Sequence, residues 1–276
     1  MHEFNLSLSR VEVNSFLKRI NLVRSEPSLE FLTEIVENII SNLPFQNLSM
    51  LSDENIRPSM VKIKNDMLSG LGGLCTVRNP FLFCLLKSLG FEVSFVSSTM
   101  IEPDCHISLV VNLGSDYWVD IGNGYPYFEP IKLGDRTEVH NWFFSYRLAE
   151  KDGIYSVQHF SKSRKEWVEN HSFENIPVSY SQFDRMHDLH YRVPGWGPFL
   201  TGIRVNRFWK NGGVILRDFL ATDPNGQSEL KKNEELLEWL EKWFNSDFTE
   251  QIDLTRALKN LDIYREEDIR NGNDNQ

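Results

Sequence analysis

The sequence predicts an α+β fold in three successive parts. Apolar residues recur at helical spacing through the first ninety positions. Short β-rich runs bounded by turn residues follow, at the regular intervals of a sheet or barrel. After about residue 190, strands and an amphipathic helix mix. The boundaries expected from these shifts are 1–90, 91–192 and 193–276. A chain of 276 residues, 41% hydrophobic and 25% charged, can bury a substantial core as one large domain or two to three small ones.

Val13, Phe16, Leu17 and Ile20 share one helix face, as do Leu29, Leu32, Ile35, Val36, Ile39 and Ile40. Pro27-Ser28 can start the second helix, and Pro44 ends it because proline disfavours helix at the residue before it. The segment 45–51 reads as a loop. Ser69-Gly70-Leu71-Gly72-Gly73 is a glycine-rich turn. From Cys75, the run Val77, Phe81, Leu82, Leu85, Leu86 and Leu89 predicts a buried helix closed by Gly90. Strands are expected at 91–98, 106–111 and 117–121, and around Ile131, Tyr146, Tyr155 and Trp167. Further strands are expected at 204–209 and 213–219, then a helix over 229–244. The tail, 270–276, has the composition of a disordered segment.

The net charge of −10 argues against a nucleic-acid surface, which needs a basic stripe, and against a polybasic membrane patch. No apolar run has the length of a membrane span, and Met1-His2-Glu3-Phe4 does not begin like a signal peptide. Three cysteines, Cys75, Cys84 and Cys105, do not make a disulfide set, which suits a reducing, cytoplasmic location. There is no CxxC, and the seven histidines show no metal-ligand spacing, so no metal is expected.

The residues able to carry chemistry are few. Cys75 follows Gly72-Gly73 at a helix start, where backbone N–H groups and the helix dipole stabilise negative charge. The same N–H groups can receive an oxyanion. His106 opens one predicted strand and Asp120 closes the next. A hairpin through Asn112–Asp116 pairs 111 with 117 and 108 with 120. His106 and Asp120 then share a face as diagonal neighbours about 7–8 Å apart at most, so the carboxylate can orient the imidazole. Each of the three also has a plain structural reading: a small buried cysteine, a satisfied histidine, a strand-end aspartate. Cys105 faces away from its neighbour His106, and Cys84 falls to packing. His140, His159, His171, His187 and His190 read as surface or structural. Phe45, Trp142 and Phe199 are candidates to line a substrate pocket, with core packing the ordinary alternative.

The order of motifs adds a resemblance. Val13-Asn14-Ser15-Phe16-Leu17-Lys18-Arg19-Ile20 is similar to the opening "YLxRI" of the arylamine N-acetyltransferase family. Leu43-Pro44-Phe45-Gln46-Asn47-Leu48 is similar to its "IPFENL". Leu71-Gly72-Gly73-Leu74-Cys75-Thr76-Val77-Arg78-Asn79 resembles "RGGxCxExN". His106 with Tyr117-Trp118-Val119-Asp120-Ile121-Gly122-Asn123-Gly124 resembles "H…xxVDVGFG", and Gly197-Pro198-Phe199 resembles "SPF".

The resemblance implies a helical N-terminal bundle, a central β-barrel and a C-terminal α/β lid around a cysteine-protease-like Cys-His-Asp core. It implies a ping-pong acyl transfer, with acetyl-CoA as co-substrate and no permanently bound cofactor. Cys75 takes the acetyl group, His106 moves the proton, Asp120 orients His106, and a small arylamine, hydrazine or hydroxylamine accepts. Three departures stand out: Leu71 replaces the arginine, and Gln46 and Val77 replace glutamates. Losing both partners of an ion pair leaves no lone buried charge. An amide synthase or acyltransferase using a larger thioester, from acyl-CoA or an acyl carrier protein, is the nearest alternative. A non-catalytic binding protein and a thioester hydrolase are the others.

Overall fold

The computed structural model describes residues 4–53, 56–135 and 137–274. Met1–Glu3, read above for a targeting signal, lies outside them.

The first part holds five helices and one short strand: α1 (Arg10–Arg19), α2 (Leu29–Asn42), β1 (Phe45–Gln46), α3 (Leu48–Ser52), α4 (Met60–Ser69) and α5 (Cys75–Leu89). Ser9 caps α1 in a reciprocal capping box with Glu12, and Ser28 caps α2 through the Phe31 N–H. Helix α5 ends at Gly90 in the left-handed conformation, as its position after the apolar run predicts. The apolar faces of α1, α2, α4 and α5 meet in one core that extends onto the first strands of the next part.

The second part is a sheet of eight strands: β2 (Glu92–Thr99), β3 (His106–Asn112), β4 (Asp116–Val119), β5 (Ile131–Lys132), β6 (Glu138–His140), β7 (Ser145–Lys151), β8 (Ile154–Ser161) and β9 (Glu166–Glu174). Their spatial order is β5-β4-β3-β2-β9-β8-β7-β6, and every pairing is antiparallel. The sheet curls into a half-barrel. Trp118 on β4 and Tyr146 on β7 each meet Tyr127 edge to face, with ring centroids 5.0 Å away in both cases. Five strand spacings separate β4 from β7, about 24 Å if the sheet were flat, so one ring can touch both only on a strongly curved inner face. The β3–β4 register sets Val111 opposite Tyr117, as the hairpin predicts.

The third part contains α6 (Asp184–Arg192), α7 (Pro198–Thr201), β10 (Arg204–Trp209), β11 (Gly212–Arg217), β12 (Leu220–Asp223), β13 (Gly226–Glu229), α8 (Asn233–Phe244), α9 (Ser246–Glu250) and α10 (Leu254–Asp274). Its sheet takes β1 as an edge strand, in the order β1-β10-β11-β12-β13. A second core lies between this sheet, α3, α8 and α10.

Two expectations need correction. The segment 45–51 is not a loop: β1 and α3 occupy it, because Phe45 and Gln46 pair with Asn206 and Val205 across the chain. A partner about 160 positions away leaves no local trace. The tail is not disordered through its length, since α10 continues to Asp274; Asn275 and Gln276 lie outside the described residues. Leu254, Ala257, Leu258 and Leu261 share the face that α10 turns to the second core, and a polar composition hid that spacing. Among the described residues, no helix is long and apolar enough to cross a membrane.

Candidate active site

Cys75 is the first residue of α5 and is buried. Leu74 offers no side-chain cap. The N–H groups of Cys75 and Thr76 therefore belong to a first turn with no intrahelical acceptor, open to an incoming oxygen. The approach to this turn is fixed by glycine. Gly72 has φ +73°, and a Cβ there would lie 2.0 Å from the Pro44 carbonyl oxygen. That oxygen accepts from the Gly73 N–H at 3.3 Å, and Gly73 in turn bridges to Phe45.

The hairpin brings its two predicted residues together. Asp120 follows the last residue of β4 and His106 is the first of β3, and His106 Nε2 donates to Asp120 Oδ2 at 2.6 Å. The other carboxylate oxygen, Oδ1, accepts from Asn79 Nδ2 and from the Gly122 N–H, each at 2.8 Å. Asn79 also donates to the Ile107 carbonyl and accepts from the Ile121 N–H. One α5 side chain thus ties β3 and the turn after β4 to the helix that begins at Cys75. With Nε2 committed to Asp120, Nδ1 is the ring nitrogen left for a second partner, and Cys75 is among the groups that hold the imidazole's value up.

Burial opposes charge on His106. The Asp120 carboxylate, its hydrogen bond and the adjacent Cys75 outweigh that, and the imidazole is held well above its ordinary range. Burial likewise opposes ionisation of Asp120, but the neighbouring His106 and the Asn79 hydrogen bond hold it below the usual carboxylate value. The pair can take a proton from a thiol and keep it as an imidazolium.

Several site residues escaped the sequence reading. His171 on β9, read as surface or structural, is fully buried with its ring 5.3 Å from that of His106. Burial and the repulsion of His106 push it down to about 3. His187 and His190 are also buried, and burial takes each to about 3; none of these three is a surface residue. Thr76 Oγ1 lies 2.8 Å from Tyr191 Oη. Asn79 stood in the nucleophile motif without a role. Arg78 follows Val77 directly and is 2% exposed.

Ligating atoms of His106, Asp120 and His171 lie within 4.8 Å of one another. Two ligands each about 2.0–2.1 Å from a tetrahedral metal would stand about 3.3 Å apart. His106 Nε2 and Asp120 Oδ2, at 2.6 Å, are spaced to share a proton instead.

The three aromatic candidates do not share one surrounding. Phe45 and Phe199 approach with ring centroids 6.0 Å apart, in a cluster with Leu74, the residue before Cys75. Trp142 is 72% exposed in the turn between β6 and β7. Its neighbour Phe143 packs on Phe208 of β10. Two of the departures from the family motifs, Gln46 and Leu71, are in contact. Gln46 Nε2 donates to Ser49 Oγ at 2.9 Å and to the Leu71 carbonyl at 3.3 Å, while its Oε1 accepts from the Ser49 N–H. Leu71 and Val77 are buried among apolar residues. A neutral amide and two hydrocarbons thus fill the space without leaving a lone charge.

A family model described as N-acetyltransferase matches residues 28–253. Mouse arylamine N-acetyltransferase 2 is 28% identical over 179 residues, 60% of this chain and 61% of that protein. The match therefore spans about three fifths of that relative's length. The arylamine N-acetyltransferase of Salmonella typhimurium has a similar structure, with TM-score 0.82, 17% identity and coverage of 93% of this chain and 100% of that one. So has the Mycobacterium marinum enzyme solved in complex with CoA, with TM-score 0.77, 19% identity and coverage of 91% and 99%. The fold is shared across these structures, and the family match runs through the glycine turn, Cys75, His106 and Asp120. The chain belongs to the N-acetyltransferase family that includes the arylamine N-acetyltransferases.

Proposed function

We propose that this chain moves an acetyl group from acetyl-CoA to an arylamine, hydrazine or hydroxylamine through a thioester on Cys75. The observation that carries the reading is the placement of Cys75 at a helix start beside an imidazole that Asp120 holds at 2.6 Å. In the first half-reaction the Cys75 sulfur attacks the thioester carbonyl and its proton passes to His106. The oxyanion falls to the N–H groups of the first turn of α5. Collapse expels CoA, which leaves with the proton from His106. In the second half an amine attacks the acetyl-Cys75 carbonyl and gives its proton to the imidazole. The amide departs, and the proton returns to the Cys75 sulfur. The pairing of relatives named for arylamine acetylation with one solved in complex with CoA supports both substrate classes.

A larger acyl thioester is the second reading, favoured by the neutral residues Gln46, Leu71 and Val77 around the nucleophile turn. One experiment separates the two. The chain is incubated with a panel of acyl-CoAs, and its intact mass is followed. Acetyl-CoA should add one acetyl group to the wild type and none to Cys75→Ala, and an arylamine should discharge it. An adduct from longer donors only would favour the second reading. No adduct from any donor would sink both, and iodoacetamide labelling would then test whether Cys75 is reactive at all.

A further inference from the structure

Arg78 has an environment that ordinary packing does not explain. Its guanidinium is fully buried, a rare state for arginine without a carboxylate bonded to it. Among the described residues it is in no ion pair within 4.0 Å. Instead it donates to three backbone carbonyls: Nη1 to Leu43 at 2.9 Å and to Pro44 at 2.7 Å, and Nε to Ile121 at 2.5 Å. The three carbonyls come from two segments that the site depends on. Leu43-Pro44 leads into β1 and carries the oxygen that also receives the Gly73 N–H. Ile121 lies between Asp120 and Gly122, in the turn that presses on Cys75.

Gln46, Leu71 and Val77 are neutral where the resembled motifs carry glutamate, arginine and glutamate. Arg78, one position beyond Val77, carries a cation on the same helix. We propose that Arg78 is a positioning residue that braces the Asp120 turn against the Pro44–Gly73 turn and adds a buried positive charge beside the Asp120 turn.

The inference rests on the proposed role of Cys75 as nucleophile. The titratable groups around it are Asp120, whose charge acts on the guanidinium through space with no hydrogen bond between them, then His106, Cys75, His171 and Tyr127 through Asp120. Burial weakens the Arg78 charge, taking its value down to about 9, and Asp120 partly restores it. Removing the cation makes Asp120 harder to ionise, which weakens its support for an imidazolium at His106. Formation of a thiolate beside that imidazolium should then need a higher pH.

The test reads the rate of Cys75 alkylation by iodoacetamide against pH, which requires no acyl donor. Arg78→Gln keeps an amide donor for the carbonyls and removes the charge. It should move the midpoint of the profile up by about one pH unit, a tenfold change in the underlying equilibrium. Arg78→Lys keeps the charge and loses the planar fork. Its midpoint should stay with the wild type while the alkylation rate falls. A Gln profile that superimposes on the wild type overturns the proposal. So does a Lys midpoint that moves by a similar step, and that arm decides the matter if the Gln variant fails to fold. A shifted Gln midpoint in a protein that takes no acetyl group would retire the proposed function and leave the role of Arg78 standing. An acetyl adduct with no shift would do the reverse.

Discussion

Asp120 is the residue on which the site geometry turns. Its two oxygens receive three donors, and those come from β3, α5 and its own turn. Asp120→Asn keeps the size but replaces one oxygen with an amide, so the ring loses its orienting acceptor. Acetylation of Cys75 should fall by about 10⁴-fold with the fold intact, the loss seen when a triad carboxylate becomes an amide; stopped-flow release of CoA checks it. Gly122 is the complementary case. A Cβ there would lie 2.6 Å from Cys75 Cα and 2.7 Å from Asn79 Nδ2. No positive φ is involved, so the cost of Gly122→Ala is one of space alone. The turn must retreat from Cys75 by a fraction of an ångström to one ångström, and a misplacement of that size costs about 10²-fold. The expected outcome is a cooperatively unfolding protein with a hundredfold lower acetylation rate. Wild-type kinetics would show that the turn can yield elsewhere.

Among the elements, α10 joins parts of the chain that are far apart in sequence. Asn260 Nδ2 donates to the Leu51 carbonyl at 2.8 Å on α3, and Arg265 Nε to the Thr201 carbonyl at 2.9 Å on α7. Ala257 and Leu261 are buried against the second core. Leu261→Ala removes a fully packed side chain and should cost about 2–5 kcal/mol, read as a lower urea midpoint with an unchanged slope. Helix α7 begins one residue before Phe199, and Asn47 Nδ2 donates to the Phe199 and Gly202 carbonyls, each at 2.6 Å. Loosening α10 should therefore reach the Phe45–Phe199 cluster. The element scale also explains which parts were legible. The long helices α2 and α5 and the β3–β4 hairpin follow from periodicity and turn chemistry over short stretches. β1 is two residues long and pairs with β10 and with Gly73, both distant in sequence, so no local pattern could announce it. α6 was missed because its buried side is made partly of His187 and His190, residues that hydrophobic spacing does not count.

For the molecule as a whole, stability should depend on pH in two limbs of opposite sign. His171, His187 and His190 are held neutral by burial, each down to about 3 against an ordinary 6.5. Between those values the unfolded chain binds protons that the native chain does not. Stability therefore rises with pH there, and falls as pH drops below 6.5, by about 1.4 kcal/mol per pH unit for each histidine. His106 is shifted the other way. Its contribution is complete below 6.5 and is lost as pH rises through its elevated folded value. Stability should thus peak near pH 6.5. Urea titrations across pH check both limbs: His187→Asn should flatten the acid side, and His106→Gln the alkaline side. A monotonic rise through pH 8 in the wild type would contradict the assignment for His106.

The α+β class, the helix that begins at Cys75 and the hairpin that sets His106 against Asp120 can be read from the amino-acid order. These are local properties, fixed by periodicity, by glycine turns and by the register of one short loop. The meeting of Cys75 with that hairpin is not local, because α5 and β3–β4 pack through a core that periodicity marks only as apolar. Nor are the burial of His171 and His190 and the brace built by Arg78, whose acceptors lie 34 to 43 positions from it. A histidine or arginine carries no sign in sequence of whether it will face water. Only the packed tertiary structure removes the water, and with it decides which polar side chains hold the site together.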